Sequence, residues 1–391
     1  MYRIAFFSIY AYGHTNPTLA VVRALTALGH RVRYYSFAPF RAGIEAAGAE
    51  FVPCDPYLPP PPPDLDRRIG TDFASLVEMI TGVTLSMEHD VGADLAEFRP
   101  HCIVSDSLCF WGKLWAMRLK VPYVCSTTTF AFNRRTASLM RQSPVQALRL
   151  LAGRGRIRRC MDRLRARGWP AAGLLSLIQN DNDTDTIVYT SRRFQPMAET
   201  FSPRYAFIGP SLPETVHEPD GPGPRRLYVS LGTVNNRNLP FYRACAEAFR
   251  APGLDVTMAV GESTDPAALG PLPPHITVRP RVDQLAVLAR SHVFLSHCGM
   301  NSVSESLYLG VPLVLFPQQQ EQALVARRTA QLGAGLLLKR AAPDAIRSAV
   351  FQVLDRPAYR ASAQALAEDL RAAGGARRGA EKILSVAEKR G

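Results

Sequence analysis

Residues 293–322 read VFLSHCGMNSVSESLYLGVPLVLFPQQQEQ, and the reading of this stretch decides the fold. Val293 to Ser296 is a short apolar run of the kind a buried parallel strand uses. His297-Cys298-Gly299-Met300-Asn301 reads as a turn, with Gly299 expected to take backbone angles that other residues avoid. Ser302 to Leu309 carries a helical pattern that Gly310 ends and Pro312 keeps from resuming. Leu313 to Phe316 is the next apolar run, so the order is strand, tight turn, helix, strand.

A turn of this kind opens onto the first amides of a helix, which have no partner inside it and lie at the positive end of its dipole. An anion such as phosphate binds well there. His297 adds an imidazole donor, Asn301 and Ser302 add side-chain donors, and Glu305 offers an acceptor for ribose hydroxyls. Each residue also has a scaffold reading. Ser302-Val303-Ser304-Glu305 fits a capping box, in which Ser302 and Glu305 only satisfy backbone N–H groups. His297 fits an ordinary strand end, and Cys298 fits small buried packing. The combination, followed by Gly-Val-Pro and then Glu321-Gln322, is hard to explain as scaffold alone.

This stretch resembles the donor-binding signature of family 1 glycosyltransferases, in the bacterial macrolide glycosyltransferase-like branch. The resemblance implies a nucleotide-sugar site. His297, Asn301 and Ser302 would hold the diphosphate with the turn residues Gly299 and Met300, Glu305 the ribose hydroxyls, and Glu321 and Gln322 the hydroxyls of the transferred sugar. It also implies the GT-B fold, an α/β architecture of two Rossmann-like doubly wound domains facing across a cleft.

Working outward, strand and helix patterns alternate along the chain, as in a doubly wound parallel sheet. Arg3 to Ser8 reads as a strand, and Tyr10 to Pro17 as a loop with Asn16 capping a helix that starts near Pro17. The Gly-x-Gly-x-x-Gly fingerprint is absent from this first turn, which argues against a dinucleotide there. Leu58 to Pro63 is proline-rich and extended. Cys102 to Ser105 is a strand closed by Asp106, Leu108 to Leu119 a helix, and Phe130 to Ala166 helical with breaks that the pattern does not place. Pro213 to Arg226, rich in Pro, Gly and charge, reads as a linker. The expected domains are 1–212 and 227–374, with a helix in 375–391 that in the family packs back on the first domain.

His14 lies just beyond the carboxyl end of the first strand and Asp106 at that of another, the edge where ligands of open parallel sheets bind. A carboxylate holding Nδ1–H leaves Nε2 to take a proton and stabilises the imidazolium formed. The scaffold readings are helix-start polarity for His14 and a helix cap for Asp106. Gly13-His14-x-Asn16-Pro17 and Val104-Ser105-Asp106 match the family's base and its partner, which tips both towards catalysis. Ser230-Leu231-Gly232-Thr233 resembles the family's donor loop, a small-residue turn that lets backbone approach a phosphate. Arg281-Val282-Asp283-Gln284 aligns with a family segment that reads aromatic-x-Pro-Gln. Arg281 stands where a ring stacks on the base, and a guanidinium plane can also stack. Gly232, Thr233, Arg281, Val282 and Gln284 thus join the donor-binding set.

The 391 residues are 47% hydrophobic and 20% charged, enough for two domains with ordinary cores. No apolar run is long enough to span a bilayer and the start lacks a signal-peptide pattern, so a cytoplasmic protein is expected. The seven cysteines are scattered, which suggests a reducing compartment without structural zinc. Asp181 to Asp185 begins like a calcium loop, but Thr186 replaces the required Gly and Arg192 the bidentate Glu, so a solvated turn is expected and no metal. The net charge of +13 concentrates in Arg154 to Arg167. A solvated helix face ranks first there, peripheral membrane contact second and nucleic acid a distant third.

The resemblance implies a metal-independent inverting hexosyltransferase. Its donor would be a UDP- or dTDP-sugar, UDP-glucose first, as co-substrate with no cofactor. Tyr10, Tyr12, Trp111, Phe130 and Phe132 suggest a small, lipophilic or planar hydroxylated acceptor, such as a macrolide or polyphenol, although most of them are equally well explained as core and none is assigned as a binding residue. The rival readings are a nucleotide-sugar epimerase on the same fold, a binding protein without turnover, and a membrane-surface transferase that forms glycolipids.

Overall fold

The computed structural model describes residues 1–58, 73–133, 135–136, 144–171, 173, 182–212, 224–233 and 236–390. The chain divides into two compact units. The first comprises Met1–Tyr189, Met197–Ser211 and Gly374–Gly391, the second Thr190–Pro196 and Leu212–Ala373. The sequence boundary at 212 therefore misses one exchange. Residues 190–196 cluster with the second unit because Arg328 donates to the carbonyls of Phe194 (3.0 Å) and Arg193 (2.6 Å). Residues 213–223 of the expected linker lie outside the described residues.

The first unit holds a parallel sheet of β1 (Arg3–Phe7), β2 (Arg31–Ser36), β3 (Glu50–Pro53), β4 (Cys102–Asp106), β5 (Tyr123–Thr127), β6 (Thr186–Val188) and β7 (Tyr205–Phe207). Their order is β3-β2-β1-β4-β5-β6-β7. Every residue of β4 is buried, which suits the apolar Cys102-Ile103-Val104 that opens it. Cross-strand aromatics stiffen the centre: Tyr34 stacks on Phe6 at 5.4 Å and Tyr35 on Phe7 at 4.4 Å.

The helices of this unit are α1 (Tyr12–Ala27), α2 (Arg41–Ala46), α3 (Phe73–Ser86), α4 (Asp90–Phe98), α5 (Phe110–Leu119) and α6 (Pro144–Ala166). Helix α1 starts at Tyr12, five residues before the expected start. Ala11 is its cap, its carbonyl accepting from the amides of His14 and Thr15 at 3.1 Å, and Pro17 falls inside the helix. Asn16 is not the cap. Phe130 to Asn133 is not helical, and the helix expected over 130–166 is found from Pro144; residues 134 and 137–143 lie outside the described residues.

Helix α6 explains the basic stretch. Ile157, Cys160, Met161 and Leu164 form a buried stripe at helical spacing, and Arg154, Arg158, Arg159 and Arg163 stand on the exposed face. Arg156 turns back to Ser75 (2.8 Å) and Glu78 (2.9 Å) on α3. The charge run is thus the exposed face of an amphipathic helix. No helix among the described residues is long and apolar enough to cross a membrane, and no group of His, Cys, Asp or Glu among them is placed to hold a metal ion.

The second unit holds β8 (Arg226–Ser230), β9 (Asp255–Ala259), β10 (Ile276–Arg279), β11 (Val293–Ser296), β12 (Leu313–Leu315) and β13 (Gly335–Leu337), in the order β10-β9-β8-β11-β12-β13. The sequence reading misses β13. It is three residues long and opens on Gly335, where a Cβ would come within 2.9 Å of the Leu313 carbonyl. The helices are α7 (Leu239–Ala248), α8 (Gln284–Ala289), α9 (Met300–Tyr308), α10 (Gln320–Gln331), α11 (Pro343–Asp355) and α12 (Pro357–Ala372). The chain then returns to the first unit as α13 (Gly375–Ala387). Gly379 lets α13 lie against Val21 and Ile208, and Lys382 and Lys389 hold the buried Asp185 at 2.6 and 3.1 Å.

Both sheets fix their amino-terminal edge with the same device. His101 precedes β4 and accepts from the Arg3 amide at 3.0 Å; His292 precedes β11 and accepts from the Arg226 amide at 3.1 Å. An imidazolium has no lone pair to accept with. Burial, then the charges of Arg360, Arg226 and Arg225, push the His292 pKa below its ordinary 6.5. The unfolded chain therefore binds this proton more readily, and the contribution to stability, whole above about pH 6.5, is lost as pH falls through the lowered folded value. His292→Asn keeps an acceptor that does not titrate. Its urea midpoint is predicted to fall less than that of the parent between pH 7.5 and pH 5; equal falls would refute this role.

Candidate active site

In each sheet the strand order reverses once, between β1 and β4 in the first unit and between β8 and β11 in the second. Loops leaving neighbouring strands at that point diverge, and the carboxyl edge is open to a ligand. The sequence-predicted residues gather at these two edges.

In the first unit, Asp106 ends β4 and His14 sits on the first turn of α1, just after β1. His14 Nδ1 lies 2.8 Å from Asp106 Oδ2. The other oxygen, Oδ1, accepts from the Leu108 amide at 2.8 Å. Both readings of Asp106 are realised, one by each oxygen, although α5 itself begins at Phe110 and not at Leu108. The Asp106 side chain is 1% exposed and that of His14 16% exposed, so the carboxylate is shielded while the imidazole reaches the surface. With Asp106 accepting at Nδ1, the proton resides there and Nε2 carries the basic lone pair. Thr128, buried just beyond β5, brings Oγ1 to 3.2 Å from the same Nδ1. Sequence reasoning missed Thr128; its place one residue past a strand's carboxyl end was the available signal.

Tyr10, before α1, and Tyr12, its first residue, stand exposed, 53% and 45% accessible, and Leu108, two residues after Asp106, is 40% accessible. Tyr12 packs edge-on against Phe40 at 4.9 Å, so this apolar surface is supported from below. Trp111 and Phe130 were read as candidates for the same surface, but they are buried core. Phe132 is half-buried.

In the second unit, Gly299 caps α9 with φ −60°, an ordinary backbone angle. The left-handed residue of the turn is Cys298, at φ 68°, held by its amide on Ser296 Oγ at 3.1 Å. Gly299 is there for clearance instead: a Cβ would come within 2.6 Å of His297 Nε2. Gly232, at φ 77°, flanks the same ring, and its Cβ would lie 2.5 Å from His297 Cε1. The imidazole is thus clasped between two glycines, one from each loop of the reversal. Its Nδ1 is buried, and burial depresses the pKa to about 4 against the opposing pull of the Ser230 backbone, so the ring is neutral at pH 7.

The capping-box reading of Ser302 and Glu305 is not realised, because α9 begins at Met300 and has no side-chain cap. Both side chains turn to Gln284, the first residue of α8. Gln284 Nε2 donates to Glu305 Oε2 at 2.5 Å and to Ser302 Oγ at 3.4 Å, and its Oε1 accepts from Tyr228 Oη at 3.2 Å. Asp283, which departs from the family's proline, caps α8 by accepting from the Ala286 amide at 3.1 Å. Burial raises the Glu305 pKa to about 6, with Gln284 opposing and Asp283 adding to the rise.

Asn301 is half-buried on the first turn of α9 and Met300 is buried. Val282 is half-buried, and Arg281 is exposed and paired with Glu262 at 2.8 Å. Thr233 is exposed beside Gly232, whose carbonyl accepts from the buried Asn236 Nδ2 at 2.9 Å. Asn236 was also missed; Gly261 leaves it room, since a Cβ there would strike its amide. Glu321 is exposed at the start of α10. Gln322 is buried and its Oε1 accepts from the amides of Gln318 (2.8 Å) and Gln319 (3.1 Å). That oxygen is committed to a cap, so it is not the group that reads a sugar hydroxyl.

Two parallel α/β sheets of this kind match the GT-B class of glycosyltransferase structures. The chain superposes on the glycotransferase of kitacinnamycin with a TM-score of 0.83 and 30% identity over 98% of both chains. With CalG4, the calicheamicin glycosyltransferase, the TM-score is 0.79 and the identity 30% over 99% of this chain and 98% of that one. It is 31% identical over 397 residues to the NDP-glycosyltransferase YjiC of Bacillus subtilis (strain 168), covering 99% of this chain and 98% of the relative. Residues 253–381 match the family of the erythromycin biosynthesis protein CIII-like C-terminal domain. The chain belongs to the family 1 glycosyltransferases.

Gly299→Ala is predicted to leave the fold intact, since φ −60° suits alanine, while forcing the His297 ring out of its slot. Losing one hydrogen bond to a charged ligand corresponds to about a 10- to 100-fold drop in affinity. Calorimetric titration with UDP and dTDP checks it; unchanged affinity would remove the clasp from nucleotide binding.

Proposed function

We propose that the chain is an inverting glycosyltransferase that moves a hexose, glucose first, from a UDP- or dTDP-sugar to a hydroxyl of a small natural-product acceptor. The observation that carries the reading is the 2.8 Å contact between His14 Nδ1 and the buried Asp106 carboxylate. Asp106 holds the imidazole in the tautomer whose Nε2 can accept a proton and balances the charge that follows. The acceptor hydroxyl gives its proton to Nε2 as its oxygen attacks the anomeric carbon from the face opposite the leaving group. The bond from that carbon to the β-phosphate oxygen breaks, and the nucleoside diphosphate departs with the electron pair. Configuration inverts.

The second unit supplies the donor site. The start of α9 presents amide groups and a helix dipole to the diphosphate, where negative charge grows as the bond breaks. The neutral His297 ring fits a hydrogen-bond role better than a counter-charge role. Asn301 and Ser302 would assist at the diphosphate, Glu305 at the ribose, and Glu321 at the sugar. The exposed Tyr10, Tyr12 and Leu108 around His14 favour an acceptor with a flat apolar body. The relatives named for calicheamicin and kitacinnamycin support a natural product in that role. No metal enters the scheme, and a cytoplasmic setting suits a nucleotide-sugar donor.

His14→Ala is predicted to lower turnover about 10²- to 10⁴-fold while nucleotide binding stays unchanged. Retention of most activity would remove His14 from the role. Proton NMR of the glycoside formed from an α-linked donor should show the β anomer, and EDTA should leave the rate unchanged. An α product or a strict need for Mg²⁺ would overturn the mechanism. Incubating UDP-glucose without acceptor separates the epimerase reading, which alone predicts conversion of the sugar.

A further inference from the structure

We propose that Tyr228 is a positioning residue for the donor site: its hydroxyl fixes the orientation of the Gln284 amide, and through that amide the carboxylate of Glu305. The inference rests on the reading of Glu305 as the ribose acceptor and adds a residue behind it. Tyr228 lies on β8, 1% exposed, beyond reach of a ligand. Its ring is stacked on Phe294 of β11 at 4.7 Å and 17°. That stacking holds the hydroxyl 3.2 Å from Gln284 Oε1, with the Ser230 side chain as its other neighbour.

A glutamine amide presents an oxygen on one side and a nitrogen on the other, and it can flip between two placements of almost the same shape. Here the two placements are chemically distinct. With Oε1 towards Tyr228, Nε2 donates to Glu305 Oε2 and Ser302 Oγ. With the amide reversed, its oxygen would face the Glu305 carboxylate, and two acceptors would oppose each other. The Tyr228 hydroxyl, by donating to Oε1, terminates a chain of bonds that all point the same way, from Tyr228 through Gln284 to Glu305. Such chains polarise and strengthen one another in a low-dielectric setting. Asp283 also faces Glu305, with a charge of the same sign, and the Gln284 donation opposes it.

The test uses Tyr228→Phe, which keeps the ring and its stack and removes only the hydroxyl. Calorimetric titration with UDP at pH 7.5 should show affinity reduced about threefold to tenfold, the size of one hydrogen bond, with turnover at saturating donor unchanged. The parent should lose UDP affinity as Glu305 takes a proton near pH 6. With the Gln284 donation weakened, the carboxyl protonates more easily, so the variant should lose affinity at a higher pH. Titration with 2′,3′-dideoxy-UDP should show no difference between parent and variant. In a double-mutant cycle, adding Tyr228→Phe to Gln284→Leu should cost nothing further, whereas a merely structural role gives additive losses.

Equal affinity and an unmoved pH midpoint in Tyr228→Phe would overturn the inference while leaving the donor site standing. Failure of the parent to bind any nucleoside diphosphate would overturn the donor-site reading and this inference with it. Gln284→Leu removes the donor outright and should raise the same pH midpoint; an unmoved midpoint there would overturn the inference as well.

Discussion

A parallel sheet that reverses its strand order must part the loops on either side of the reversal. That constraint organises this protein twice. Between β1 and β4 it brings the start of α1 beside the end of β4, and His14 meets Asp106. Between β8 and β11 it brings the Gly232 loop beside the His297 turn. Neither pairing is made by residues close in sequence. Each depends on register along whole strands, Phe7 beside Ser105 in one sheet and Ser230 beside Ser296 in the other. A one-residue slip would turn each strand's buried set to its other face and separate the residues beyond it. The apolar cores therefore set the position of the polar sites.

What the sequence made legible follows from the same physics. Apolar runs bounded by Gly and Pro marked most strands, because buried parallel strands need such runs. The start of α1 escaped because its cap is a backbone carbonyl, that of Ala11, and Pro17 pointed later. The strand β13 escaped because three residues beginning with glycine carry no pattern. The residues His14, Asp106, His297 and Glu305 were visible through motif spacing. Thr128 and Tyr228 were not, since each acts on a partner far away in the chain, and Asn236 was not, since its bond to the Gly232 carbonyl four residues back follows no motif. Sequence periodicity reports which face a residue lies on, and not what it touches there.

The glycines show how a residue singled out in the sequence can be needed for another reason than the one read there. Gly299 reads as a residue needed for unusual angles, yet the left-handed position belongs to Cys298. Cysteine is tolerated at φ 68° because Ser296 binds both its amide and its thiol, at 3.1 and 3.3 Å. Gly299 yields space to a ring. Only at Gly232 do both demands coincide, a positive φ and the imidazole face. The scaffold thus spends two missing side chains on placing one histidine.

The two histidines of the reversals are accordingly unlike, and their surroundings say why. His14 has a buried carboxylate at Nδ1, so gaining a proton at Nε2 is balanced on the spot. His297 lies between two glycine faces with the Ser230 backbone as its named polar neighbour, and burial keeps it neutral down to about pH 4. The first environment suits a group that must change charge during a reaction. The second suits one that must not, and that offers the same hydrogen bond before and after. A carboxylate placed beside His297 would invite a proton, but it would also set a negative charge against any anion at the α9 terminus. Leaving that ring without an acid partner is the arrangement that keeps the helix start open to an anion.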